Sequence, residues 1–421
     1  PDRATEVQVL ERQIIEQTRK GILCYISSFS YLSDPSFVVM RERLLNGFDK
    51  FWFDCLNGDS RETGKTTPEG LPDPSVFSTE TNKEGIRVGT VIGLMVRKSS
   101  YVAKKEIRFR HFWGMHKRSD LLMTLRNPKF EDSYLNAYPQ KENRYNFRPL
   151  NVSPDYLKWP KVVDLCREYP FNGPIERRGN SLIIFDHQRE HLETALGLYL
   201  DADVSDEEIR LIEPRFMVSS GEFKAIEARN RLKLKVKFDS GKIVHYPFKP
   251  FDIRLAYLSD DIQPLFSRPS PELLRHQKIN GNLFFITRNY TDKDSEGIPF
   301  YFSRFISDYS CISGNTRHFP LRVLPIEDIR QVDGQMDLFA PKILPIANLS
   351  DMSRSYLDQL NIQNVDEDIE IENAIKPYEL LWLHALAIGY SKAYLNENND
   401  GIHSDWPRIP LPAKRETLLE S

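Results

Sequence analysis

The sequence predicts an α/β unit followed by an α+β unit. Three observations carry the prediction. A strand–helix–strand pattern fills residues 22–56, a Pro-, Asn- and Tyr-rich stretch at 127–160 interrupts regular patterning, and beyond it short strands and helices mix without a repeat. A chain of 421 residues exceeds one typical domain and suits two. With 40% apolar and 28% charged residues it can bury a core and cover it.

The elements follow in order. Residues 4–20 are charged and helical in pattern. Ile22-Leu-Cys-Tyr-Ile-Ser reads as a buried strand. Asp34-Pro35 opens a helix, since Asp caps and Pro suits a first turn, and Phe37, Met40, Leu44, Leu45 and Phe48 supply its apolar face. Phe51-Trp-Phe-Asp-Cys-Leu is a second strand, which completes a βαβ unit with both sheet faces covered. Residues 57–87 are rich in Gly, Pro, Asp, Thr and Ser, too long for an idle connector, and mark a functional loop. A strand from Val88 and a basic strand from Glu106 then suggest a hairpin that ends the sheet. We place the first domain at 1–130, a linker at 131–160 and a second domain at 161–421. There the pattern predicts a helix at 186–200, a strand from Leu283 and a closing helix at 377–396. Arg231 to Phe238 alternates strictly and reads as a strand with one cationic face, turned by Asp239-Ser-Gly into a strand from Ile243.

Net charge is -3, which argues mildly against a small basic DNA-binding module. The charge is uneven: residues 97–126 hold nine Lys/Arg against two Asp/Glu, and residues 215–254 hold ten against four. Such separation permits a basic face. Four cysteines stand at 24, 55, 166 and 311 without a CxxC pair, so a cysteine metal site is not expected. Cys24 and Cys55 read as core thiols, and the composition suits a reducing, cytoplasmic compartment. No long apolar span or signal peptide is evident. The start at Pro1, without methionine, suggests a piece of something longer.

Catalytic signatures are missing. There is no phosphate-binding Gly-rich loop, no GxSxG and no HExxH. No catalytic or metal-binding residue is therefore nominated.

Several runs nevertheless resemble a known family. Gly21 to Phe37, with Met40-Arg-Glu-Arg-Leu-Leu, resembles the region after the catalytic motif of adenine amino methyltransferases. Phe53 to Lys65 resembles their next strand and loop, and Glu84 to Lys98 their penultimate strand. Tyr246-Pro-Phe-Lys-Pro-Phe-Asp-Ile-Arg, Arg268-Pro-Ser-Pro-Glu and Asp405-Trp-Pro-Arg-Ile-Pro-Leu-Pro resemble the recognition part of type ISP and type IIG restriction-modification enzymes. The resemblance implies a partial Rossmann-like methyltransferase sheet plus a mixed α/β target recognition domain. It implies a parent that methylates an adenine amino group with S-adenosylmethionine at a short site in double-stranded DNA. The family's donor loop and its Asn/Asp-Pro-Pro-Tyr/Phe tetrapeptide are absent; Asn172-Gly-Pro-Ile does not substitute, and the family order places both ahead of Pro1. Implied partners are the upstream half of that domain and nuclease or translocase modules of the same polypeptide. The piece alone is expected to be inactive.

The resemblance also nominates residues. A base taken out of the stack needs an apolar slot. Phe77 sits where the family places one of its aromatics, with the alternative that it anchors the loop. Asn57, Asp59 and Arg61 follow a strand end and either line the cleft or build a turn. Lys104, Lys105, Arg108 and Arg110 are candidates to grip phosphates, with a solvated face as the alternative. Arg231, Lys233 and Lys235, with Lys237, share the cationic strand face; Arg177, Arg178, Arg229 and Arg317 are candidate base readers. The Tyr246–Arg254 segment reads as buried domain packing. Two other classes stay open: a stand-alone DNA-binding specificity module without catalysis, and a protein that does not bind nucleic acid at all.

Overall fold

The structure, a computed structural model, describes residues 17–421 except 61–62, 101–104, 125, 177–183, 186–187, 291–296, 313–314, 325–343 and 369–374. The helix expected at 4–20 falls almost wholly outside them. The described chain forms two compact units: one runs through Leu157 and includes Glu397–Asp405, the other begins at Lys158 and includes Trp406–Ser421.

In the first unit the apolar runs become β1 (Gly21–Ser28) and β2 (Lys50–Asn57). The Asp34 carboxylate accepts the Ser36 amide at 2.7 Å, and Pro35 starts a 3-10 turn that feeds α1 (Val38–Gly47). The strand β3 (Thr90–Arg97) lies between β1 and β2 and is antiparallel to both. It does not form a hairpin with β4 (Glu106–His111), which instead pairs in parallel with β2; β5 (Leu135–Asn136) completes the order β1-β3-β2-β4-β5. Two features explain the correction. The β2–β4 register sets Phe51 opposite Ile107 and Phe53 opposite Phe109, so these four buried side chains share one face. Asp49 also accepts the Lys98 amide at 2.7 Å and pairs with Lys105 at 3.4 Å, which draws the connection back to the start of β2.

Phe48, Phe51, Phe53, Phe109 and Phe147 dominate this core, with Phe53 and Phe147 stacked at 5.1 Å. Phe147 and β5 come from the stretch read as linker, and they pack as part of the unit. Cys55 is buried as expected, but Cys24 is exposed, because alternation in β1 places it on the same exposed face as Ile22 and Ile26. Arg41 is buried in α1. Its guanidinium donates to the carbonyls of Tyr31, Asp34 and Arg144, which fixes the turn before the helix.

The second unit has two larger cores. After α2 (Lys117–Thr124) of the first unit, the elements around the first of these cores are the expected helix, α3 (Arg189–Leu200), with α4 (Asp206–Ile212), α5 (Ala225–Leu232) and the sheet β8-β10-β9, built from Ile184–Phe185, Asp252–Tyr257 and Ile243–Lys249. The second core surrounds Trp382, whose ring lies 5.4 Å from both Phe285 and Phe319. Those rings come from the sheet β13-β12-β14-β6: Tyr301–Ser303, Phe284–Thr287, Arg317–Pro320 and Phe171–Asn172. The closing helix breaks into two pieces, Leu380–Gly389 and Lys392–Glu397.

The cationic strand expected at 231–238 is not formed. α5 runs to Leu232 and a turn follows, with the Val236 amide bonded to the Leu232 carbonyl at 2.8 Å. Leu232 and Val236 are buried, whereas Leu234 between them is 79% exposed. Burial at i and i+4 satisfies a helix end as well as alternation does. Arg231, Lys233 and Lys235 therefore do not share a strand face.

Two buried histidines give this unit an acid sensitivity. His318 accepts the Ser307 amide at 3.0 Å, and burial holds its pKa down at about 3. Burial, aided by the Arg275 charge, holds His276 at about 4. Folded values below the unfolded value of about 6.5 mean stability that is complete above that pH and is lost as pH falls toward 4. Denaturation midpoints of this unit should drop across that window, by up to about 1.4 kcal/mol per pH unit for each histidine. His318→Gln should flatten the slope; an unchanged slope contradicts the assignment.

Candidate nucleic-acid interface

Because β1 and β2 are both antiparallel to β3, and β4 is parallel to β2, the carboxyl ends of β1, β2 and β4 share one rim. Ligands of open α/β sheets gather at such ends. The rim here holds Ser28, Asn57 and His111.

The long loop after β2 is folded against this rim by buried charge. The Asp73 carboxylate accepts the Gly58 amide at 2.7 Å and the Gly114 amide at 2.6 Å, and it pairs with the Lys117 ammonium at 2.8 Å. Lys117 also donates to the carbonyls of Leu56 at 2.6 Å and Pro74 at 2.8 Å. The Asp59 carboxylate accepts the Gly89 amide at 2.8 Å. Asn57 and Gly58 both have positive φ, and a Cβ at position 58 would meet the Ser75 backbone at 2.8 Å. Glycine is required there for conformation and for space.

Asn57 and Asp59 are thus buried turn builders, which decides against their lining a cleft with free polar groups. Arg61 lies outside the described residues. Phe77 is different. The Ser75 hydroxyl accepts both its amide and that of Ile86, each at 3.3 Å, and the ring stays 43% exposed. The loop that carries Phe77 is therefore anchored over Gly58, at the end of β2.

The structure adds a group that sequence reading missed. The His111 ring stacks on Trp113 at 5.2 Å with 19° between planes, and Asn57 Oδ1 lies 3.1 Å from its Nδ1. Desolvation by the groups packed around it, and secondarily the Arg148 charge, lowers the His111 pKa to about 4, although the residue keeps an exposed edge at the end of β4, so the ring is neutral near pH 7. Arg148 itself sits 4.4 Å above the Phe29 ring. The signal was the spacing Phe109, His111, Trp113, which puts three rings on one side of an extended segment.

The nominated cations fare unevenly. Lys105 pairs with Asp49, and Arg108 with Glu131 at 3.1 Å and Glu106 at 3.6 Å. Arg110 is buried against Asp54 and Ser133 and lies 4.2 Å from the Tyr134 ring centre. Lys105, Arg108 and Arg110 thus spend their charge on the fold, a correction to the phosphate-gripping reading for these three. Arg229 is fully buried and donates to Asp206 at 2.6 Å and to the carbonyls of Tyr199, Asp201 and Val204, so it is no base reader. Arg317, on the interior strand β14, donates to Asn172 of β6 and is tied into the sheet. Arg231, Lys235 and Lys237 are exposed around the end of α5. Lys104, Arg177 and Arg178 lie outside the described residues.

The sheets and helices together define a mixed α/β protein. Residues 185–420, more than half of the chain, match the Type ISP C-terminal specificity domain, and the chain belongs to that family. Solved structures agree on the fold. The ATP-dependent Type ISP restriction-modification enzyme LlaBIII bound to DNA has a TM-score of 0.57 at 13% identity, over 96% of this chain and 24% of that one. The DrdV–DNA complex has a TM-score of 0.54 at 13% identity, over 94% and 36%. A nuclease-deletion mutant of the Type ISP enzyme LlaGI, in complex with a DNA substrate mimic, has 0.50 at 16%, over 96% and 34%. This chain thus spans between about a quarter and about a third of the length of those proteins. No curated protein matches it. No helix among the described residues is long and apolar enough to cross a membrane.

Removing one partner of a buried ion pair strands the other. Asp73→Ala should destabilise the first unit by about 3–5 kcal/mol. Asp73→Asn, which retains an acceptor oxygen, should cost less. Equal stability of wild type and Asp73→Ala in urea titration would contradict the role given to this carboxylate.

Proposed function

We propose that the chain is the DNA-recognition part, joined to the far half of the catalytic domain, of a site-specific adenine methyltransferase in a restriction-modification enzyme. The observation that carries the reading is the combination within one chain: a Type ISP specificity domain at 185–420 follows a β1-β3-β2 sheet with an aromatic rim. A stand-alone specificity module has the family match on its side, but it leaves the first unit and its rim without a task.

On this reading double-stranded DNA is the partner and S-adenosylmethionine the methyl donor of the parent. When bound, the donor supplies the methyl group; no residue of this chain is assigned to hold it. The parent methylates a base that must leave the duplex stack. Phe77 offers an exposed ring to that base, and the neutral His111–Trp113 stack offers a second aromatic surface at the same rim. Asn57 orients His111, and the Asp73–Lys117 pair keeps the loop in place. The solvent-facing cations Arg231, Lys235 and Lys237 supply backbone attraction from the second unit.

Two measurements test this. The 421-residue chain should bind duplex DNA with an affinity that falls steeply as salt rises, and added S-adenosylmethionine should not alter it. Absence of binding at low salt would sink the reading. In the full-length enzyme, Phe77→Ala and Trp113→Ala should each lower methyl transfer about tenfold or more, as expected for loss of one stacking surface, with DNA affinity nearly unchanged. Wild-type turnover in both variants would remove the rim from the mechanism.

A further inference from the structure

The second unit presents one feature that neither its packing nor its family match accounts for. The strands Ile243–Lys249 and Asp252–Tyr257 form a hairpin closed by only two residues, Pro250 and Phe251. Sequence reading placed this segment in the interior. Tyr246 is indeed fully buried, but Phe251 is 95% exposed and Ile253 is also exposed. Two-residue hairpin loops favour Asn-Gly, Asp-Gly or a glycine, so turn geometry does not select phenylalanine here. Leaving such a ring in water forgoes about 2 kcal/mol of burial.

The hairpin is braced almost to its tip. The Tyr246 hydroxyl donates to Asp308 at 2.8 Å, and the Asp308 amide donates to the Pro247 carbonyl at 3.0 Å. Arg254 lies 4.2 Å above the Phe248 ring and pairs with Asp252 at 2.8 Å. Lys249 donates to the Ser310 carbonyl and remains exposed. The aromatic tip is therefore held out on a stiff two-stranded ribbon, with cations at 249 and 254 on its flanks.

We propose that this hairpin enters a groove of duplex DNA and that the Phe251 ring wedges against a base step. The inference rests on the DNA-recognition reading above. A two-stranded ribbon fits the major groove, and apolar side chains that press between base steps unstack them. The exposed Lys249 matches the charge of a flanking phosphate, while Arg254, held by Asp252 and Phe248, stiffens the ribbon. The hairpin lies wholly within the segment matched to the specificity domain.

The test uses the full-length protein. A bound site is first selected from a random duplex pool, and 2-aminopurine is then placed at each position of that site in turn. Wild type should brighten the probe at one step, and Phe251→Ala should abolish that signal and weaken binding of the selected site about tenfold. Phe251→Trp should retain the signal. Lys249→Ala should lower the salt slope by about one, without removing the brightening. Phe251 is exposed, so its substitution should leave the melting curve unchanged. If wild type selects a site and Phe251→Ala binds it equally, with the same probe signal, the wedge is refuted while the DNA reading stands. If Phe251→Ala instead abolishes self-association and spares DNA binding, the tip is a protein contact and the proposal falls. If wild type selects no DNA, both readings fall together.

Discussion

The rim depends on one buried carboxylate. Asp73 collects two backbone amides and an ammonium from three separated parts of the chain: the turn after β2, the turn after β4 and the start of α2. Each would be costly to bury alone, since an amide or ammonium removed from water needs a partner. Together they satisfy one another, and Lys117 spends its remaining donors on the carbonyls of Leu56 and Pro74. The outcome is a long polar loop that holds a defined shape. Phe77 keeps its position relative to β2 because Ser75 is pressed against Gly58, and that contact exists because Asp73 has fixed the loop on either side of it.

Charge in this protein serves two separate ends. In the first unit Lys105, Arg108 and Arg110 each face a carboxylate, so this part of the basic stretch belongs to the scaffold. Arg41 and Arg229 carry this furthest, each enclosed by backbone carbonyls that take up its donors. Buried guanidinium groups of this kind fasten loops to helices. Solvent-facing cations include Lys98, Arg118 and Arg126 of the first unit and, in the second, those at the end of α5 and Lys249 on the hairpin. A basic stretch in a sequence is thus not a basic surface until its partners are known.

What the sequence revealed follows from locality. β1, β2 and α1 are legible because short apolar runs and an Asp-Pro cap are local signals. The insertion of β3 between β1 and β2 is not legible, because strand order is decided by pairing across some 40 to 70 residues, about the sequence distances between these strands. The turn after α5 misled because Leu232 and Val236 satisfy two periodicities at once. Phe251 misled because residue type alone favours burial, whereas a two-residue loop leaves its tip no interior to enter. The His111–Trp113 stack was hidden in a run that read only as a strand; its importance lies in where that strand stops.

The placement of β3 also governs how the first unit can be made. Among the described residues β1 pairs with β3 alone, and β1 and β2 never touch as neighbours. As the chain leaves the ribosome, β1, α1 and β2 therefore emerge before β3, the strand that among the described residues joins β1 to β2. For that interval the edges of β1 and β2 that β3 later occupies stay open. The length of that interval is set by the synthesis of residues 58–89 and of β3 itself.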